Sequence, residues 1–153
     1  MPEKTVLNAT DAAPASHRTH HPHADLLARL YQDLAGIGRF LHPDAVLHPA
    51  LRDVERRARP VEGRDAVIEW ERDLITSTGC TLDMQISHIA ADEHFGSVHG
   101  TLHAVFRGYP FSDTFCGLWR FRDGLIVEHW ENIADPHRLA RAVKQPELGG
   151  SRP

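Results

Sequence analysis

From Ala24 onward the apolar positions Leu26, Leu30, Leu34 and Ile37 recur every three to four residues, and Leu27 and Tyr31 widen the stripe. That period predicts an amphipathic helix, loosened at its end by Gly36 and Gly38. "FLHPDAVLHPAL" follows, and because the residue before each proline is pushed out of the helical region, it reads as extended or turning chain. Arg52 to Pro60, "RDVERRARP", reads as a charged connector. A second helix opens at Gly63 and Asp65 in "GRDAVIEWERDLI", with Val67, Trp70 and Leu74 on one side and an acid in the first turn, where the helix dipole favours it.

Beyond Ser77, Thr78 and Gly79 the period drops to two. "CTLDMQISHIA" places Leu82, Met84, Ile86 and His88 on one face, and "HFGSVHGTLHAVF" alternates Val98, Leu102, Ala104 and Phe106 against Ser97, His99, Thr101 and His103. A turn at "YPF" leads into a third strand, "SDTFCGLWRF", and Asp123-Gly124 closes a hairpin onto a fourth, which begins "IVEHWEN". Asp135 before Pro136 is an N-cap followed by an N1 proline, which predicts a last short helix over Pro136 to Lys144.

Helices first and hairpin strands after them is an α+β order. The expected architecture is a strongly curved antiparallel sheet wrapped around the N-terminal helices as a cone, with a pocket inside and the short C-terminal helix beside it. The expected boundaries are a disordered tail rich in His, Pro and Ala over residues 1–22, one domain over 23–145, and a second disordered tail over 146–153.

Composition narrows the function classes. A chain of 153 residues is single-domain length, able to bury roughly 68–70% of its unfolded surface. No apolar run approaches the roughly 18–20 residues of a membrane span. The net charge of −4 leaves no basic stripe, so neither nucleic acid nor membrane is an expected partner. The first residues lack a basic start and an apolar stretch, which argues against a secretory signal and makes the cytoplasm the default compartment. Cys80 and Cys116 show no metal-ligand spacing and fit buried free thiols in a reducing environment. Of twelve histidines, His17, His20, His21 and His23 crowd into "HRTHHPH". Such a tract can bind a transition metal weakly, but with no apolar period beside it a solvated tail is the expectation.

The fourth strand carries the candidate chemistry. Alternation puts Leu125, Val127, His129, Glu131 and Ile133 on one face, and Asp113, Phe115, Gly117, Trp119 and Phe121 on one face of the third strand. If Glu131 points into the cone, His129 does too. A carboxylate desolvated among Phe, Trp and Val has its pKa raised, which suits proton transfer near neutral pH. His99 and His103 lie four apart on one strand face, and with Glu131 they could frame a metal site, though none is expected.

"LHPDAVLHP", "GRDAVIEW" and "WRFRDGLIVEHWEN" resemble the nuclear-transport-factor-2-like superfamily, and within it the SnoaL-like polyketide cyclase group, over about Ala24 to Leu139. That resemblance implies a catalytic acid/base carboxylate seven residues after the hairpin glycine, here Glu131, a Glu where those cyclases have Asp. Those cyclases also use a His on the preceding strand, where this chain has Gly117. Ketosteroid isomerases share the fold and place their general base before the proline that follows the "HPDAV" segment, here His48. Their oxyanion-stabilising acid again falls at Gly117.

The expected function is therefore a cofactor-free enzyme that moves a proton next to a carbonyl on a small hydrophobic, polyketide-like substrate, by aldol cyclisation, isomerisation or dehydration. Glu131 would be the acid/base and His48 its partner, with His99 or His129 polarising the carbonyl. Tyr31, Trp70, His103, Asp113, Phe115, Gly117 and Trp119 would contact the substrate. A non-catalytic ligand-binding or dimerising module of the same fold is the alternative, and an epoxide hydrolase activity a further one. The resemblance also implies a homodimer formed back to back.

Overall fold

The computed structural model describes residues 17–146. Strand β1 (His17–Arg18) leads into α1 (Pro22–Gln32), where Pro22 begins the helix and the His21 ring accepts from the His23 N–H as its cap. Residues 17–22, which fall in the expected tail, form β1, a bend and the start of α1; the rest of both expected tails, residues 1–16 and 147–153, lies outside the described residues. Ala24, Leu26, Leu27 and Leu30 form the buried stripe of α1. The helix does not run on to Ile37, because Asp33 ends it and a 3₁₀ segment, Leu34–Phe40, takes over. Gly38 permits that segment to lie against the second helix: a Cβ there would come within 2.7 Å of Ile68 Cδ1.

Strand β2 (Leu41–His48) is followed by β3 (Val61–Glu62) and α2 (Arg64–Ser77). Then come β4 (Asp83–Ala91), β5 (Phe95–Phe106), β6 (Tyr109–Arg122), β7 (Leu125–Trp130) and α3 (Pro136–Lys144). The four hairpin strands pair antiparallel in sequence order, as their alternation requires. The β5–β6 turn is not at "YPF" but two residues earlier, where Arg107 and Gly108 both have positive φ (53° and 88°). Asp123 and Gly124 form the expected turn of the same kind.

The sheet is mixed rather than antiparallel, with the order β1-β4-β5-β6-β7-β2-β3. β1 runs parallel to β4 and β2 parallel to β7. Hairpin turns dictate direction only between sequence neighbours, whereas β1 and β2 reach their partners through long connections that leave either direction open. Register irregularities between Leu41 and Val46, Ile86 and His88, and Arg120 and Phe121 accompany the bending of the open sheet. The helices pack on its concave side, and Leu27, Leu30, Ile37, Leu47, Val67, Val98, Trp119 and Ile126 fill the core. Neither cysteine is in a disulfide, and Cys80 is exposed rather than buried. Among the described residues no helix is long and apolar enough to cross a membrane.

Gly100 marks a close approach of β5 to β4. A Cβ there would stand 2.1 Å from the backbone oxygen of Gln85, and rigid backbone cannot yield as a side-chain tip can. Gly100→Ala is expected to cost about 3 kcal/mol or more, read from urea denaturation. A loss under about 1 kcal/mol would show that β4 moves aside freely.

Candidate active site

Where the concave sheet meets α1, α2 and α3 it encloses a cavity of about 400 Å³. That is within the roughly 300–1,000 Å³ of small-molecule sites. Its apolar wall includes Met84, Leu102, Phe106, Phe115 and Leu139, and Glu71, His129 and Glu131 cluster within it.

Glu131 follows the end of β7, where two backbone-directed clamps hold it. Its N–H donates to His48 O (3.0 Å), and the Arg52 guanidinium donates to Glu131 O (2.6 Å), Pro49 O (2.9 Å) and Asn132 Oδ1. Arg52, placed by sequence in a charged connector, therefore ties the ends of β2 and β7 together. The Glu131 carboxylate lines the cavity and accepts from Trp70 Nε1 (3.1 Å). Burial pushes its pKa up to about 7, against the hydrogen bonds from Trp70 and the Ala50 backbone and the nearby Arg52 charge.

The neighbour that sequence reasoning missed is Glu71. It lies four residues after Val67 on the buried side of α2, is only 2% exposed, lines the same cavity and makes no hydrogen bond among the described residues. Burial, and then the Glu131 carboxylate, raise its pKa well above the ordinary 4.5. Two carboxyl groups this close in a poorly hydrated site cannot both ionise readily, so one keeps its proton. A carboxylic acid at a position where helical period calls for an apolar side chain was the available signal.

His129 completes the group. Its Nδ1 lies 2.9 Å from Leu118 O, and since a carbonyl only accepts, Nδ1 carries the proton. Burial lowers the ring's pKa to about 3, so it is neutral, and Nε2 is left as a free acceptor. The ring stacks on Trp119 at 3.4 Å between centroids. Ligand-type atoms of Glu71, His129 and Glu131 all lie within 4.8 Å of one another, a set that can also take a divalent cation.

Gly117 faces this group from β6, and its missing side chain has a purpose beyond enlarging the pocket. A Cβ there would stand 2.4 Å from the Tyr31 hydroxyl, 3.0 Å from Trp119 Nε1 and 3.3 Å from His129 Cε1. The Tyr31 hydroxyl, brought across from α1, thus takes the space that a side chain at 117 would fill. Burial, with Glu71 and Glu131 nearby, raises the Tyr31 pKa and keeps the hydroxyl protonated as a donor. Trp119 Nε1 lies beside that hydroxyl, close enough to oppose the rise slightly, yet it is buried without hydrogen-bond geometry to any acceptor. Two donors therefore lie side by side in the space that Gly117 leaves open.

Tyr31, Trp70, Phe115, Gly117, Trp119, His129 and Glu131 line the cavity, and four other expected site residues do not. His48 is a correction: in register with Trp130, it faces the outer side of the sheet, stacks on that ring and binds Glu128 Oε2 at 2.7 Å. Burial pushes the Glu128 pKa up, but hydrogen bonds from His48 and Arg120 outweigh it and hold the group below the ordinary range. His99 and His103 are corrections too, because Val98 and Leu102 occupy the inner face of β5 and strict alternation sends the odd positions outward. His99 bonds Ser87 there, 2.9 Å from Nδ1 to Oγ. Asp113 lies at the far end of β6, where it accepts from the Asp135 N–H (2.9 Å) and pairs with Arg138 (3.4 Å), anchoring α3.

The buried acids and the imidazole give stability opposite pH dependences. Glu71 and Glu131 have raised folded-state pKa values, so their contribution is full below pH 4.5 and lost as pH rises through their folded values. His129 is depressed, so its contribution is full above pH 6.5 and lost as pH falls toward 3. Above pH 6.5 only the carboxyl groups act: unfolding free energy is expected to fall as pH rises, and Glu71→Gln to flatten that fall. Urea denaturation at a series of pH values checks it; an unchanged slope in the variant would place the Glu71 carboxyl in solvent.

A family profile described as SnoaL-like domain matches residues 24–129. Among solved structures, the chain is similar to Bal32a from a soil-derived mobile gene cassette, with 19% identity and a TM-score of 0.69 over 79% of this chain and 95% of that one. It is also similar to an NTF2-like protein of unknown function from Burkholderia pseudomallei, with 22% identity, a TM-score of 0.63 and coverage of 80% and 92%. IdmH from Streptomyces antibioticus, a proposed polyketide cyclase, shares 23% identity with a TM-score of 0.61 over 79% and 98% of the two chains. At these identities the likeness carries the NTF2-like fold alone. No curated protein matches the chain.

Proposed function

The chain belongs to the SnoaL-like domain family, and from that premise we propose that it catalyses proton transfer next to a carbonyl on a small, largely apolar substrate, polyketide-like in character, without a cofactor. The observation that carries this reading is the Glu131 carboxylate in an apolar cavity beside a second carboxyl and a neutral imidazole. A base poised near neutral pH in a largely apolar cavity is what removal of a weakly acidic C–H proton needs. The substrate carbonyl oxygen would approach the Tyr31 O–H and Trp119 N–H from the cavity, where these two donors can stabilise the charge of an enolate as it forms. His129, held by its bond to Leu118 O, would present its Nε2 to the acid pair as an acceptor.

The test is deuterium exchange at the α-carbon of small aryl and alkyl ketones in D₂O, followed by NMR. Exchange above the buffer rate is expected, with kcat/KM rising with pH to a midpoint near 7 as Glu131 loses its proton. Binding without exchange would leave a ligand-binding module instead. Exchange is expected to survive a chelator; its loss would assign the Glu71, His129 and Glu131 cluster to a cation.

The homodimer belongs to the same proposal. Phe95 (57% exposed) and Leu118 (42% exposed) stand on the outer sheet face, which a second copy would cover. Sedimentation velocity reads the oligomeric state directly.

A further inference from the structure

Removal of an α-proton and its return to another carbon asks for one carboxylate, which can shuttle the proton alone. Here there are two, Glu131 and Glu71, with oxygen atoms within 4.8 Å of each other on one side of the cavity. Glu71 is 98% buried by its 2% exposure, has no hydrogen-bond partner among the described residues and reaches no structural charge that would explain its burial. The carbonyl oxygen already has two donors in Tyr31 and Trp119, so a second acid is redundant there. It is needed where an oxygen must leave: hydroxide is a poor leaving group, and water a good one.

We infer that Glu71 is the acid that expels water, so that the cavity dehydrates a β-hydroxy carbonyl compound, with the α-hydrogen and the β-oxygen leaving toward the same face. The inference rests on the proton-transfer reading above and selects among its reactions. Glu131 takes the proton from the α-carbon, and the electron pair passes to the carbonyl oxygen as an enolate held by Tyr31 and Trp119. The enolate then re-forms the carbonyl, a double bond forms between the α- and β-carbons, and the bond from the β-carbon to oxygen breaks. The Glu71 proton joins the departing oxygen to make water. Glu131 is left protonated and Glu71 ionised, with no net proton gained or lost. The proton returns across the short gap between them, with His129 Nε2 beside both, and the pair is reset.

The probes are the aldol adduct of benzaldehyde and acetone, whose dehydration gives an absorbing enone, and its acetate ester, whose leaving group needs no proton. Wild-type protein is expected to release enone from both and to exchange α-deuterium. Glu71→Gln is expected to slow loss of water by about 10²–10⁴-fold and loss of acetate far less, and Glu71→Asp to restore part of the difference. Equal slowing of the two substrates in Glu71→Gln overturns the inference. If that variant does not fold, the wild-type pH profile decides. The ratio of acetate to water elimination must then rise as rising pH ionises Glu71, and a constant ratio overturns the assignment. Exchange with no water loss would also remove the dehydration while leaving the proton-transfer reading intact. Absence of exchange would remove that reading itself.

Discussion

Glu131→Gln is expected to fold as the parent does, to bind a ketone ligand with little change, and to lose turnover by about 10²–10⁴-fold. The amide has the size of the carboxylate and keeps an oxygen that can accept from Trp70 Nε1, so the geometry at the end of β7 has no reason to change. What disappears is the group that can hold a proton at neutral pH. The variant should also be more stable than the parent in alkaline buffer, because no charge then has to be kept beside Glu71. Exchange kinetics, isothermal titration with a ketone inhibitor and a melting curve at high pH measure the three effects separately. Full activity in the variant would remove Glu131 from the chemistry; lost activity together with lost folding would make it a structural group.

The second large effect is expected at Gly117, where a single methyl group tests the donor pair. Its carbon would meet the Tyr31 hydroxyl at 2.4 Å. The tyrosine has little freedom to retreat, because its ring stacks on Phe115 (5.8 Å, 23°) and meets Trp119 edge-on (5.9 Å, 85°). Gly117→Ala is therefore expected to cost about 1–3 kcal/mol of stability. By displacing the hydroxyl from the enolate oxygen it should also cost about 10²–10³-fold in kcat. Adding Tyr31→Phe to this variant removes the clashing atom and should return most of the stability while leaving activity low. Recovery of both would mean that the methyl acts by crowding alone and that the hydroxyl takes no part.

These two sites differ in how far the chain's own pattern reaches them. Alternation along β6 and β7 put Gly117, Trp119, His129 and Glu131 on facing positions, and a hairpin turn at Asp123-Gly124 set them in register. Alternation does not tell which face of a strand is concave, so it leaves open whether the histidines of β5 or Leu102 and Phe106 line the pocket, and the fold gives it to the latter. Likewise the segment before Pro49 reads as extended or turning chain; it is extended, the strand Leu41–His48, and only its pairing with β7 turns His48 outward. Glu71 escaped because a carboxylate in an amphipathic helix is ordinarily solvated, and only its neighbours across the cavity make a different reading possible.

By itself the sequence determined the local elements and their order: two apolar-striped helices, a run of hairpin strands, and a proline-started helix at the end. Each of these depends on side chains within a few residues of one another, where spacing and backbone preference act directly. The tertiary structure alone decided the direction of the added strands, the sense of the sheet's curvature, and the meeting of Tyr31 from α1, Glu71 from α2 and Glu131 from just beyond β7 in one cavity. Those positions lie 40 to 100 residues apart by their numbering. Contacts over such separations arise from how whole faces pack, which no local period encodes.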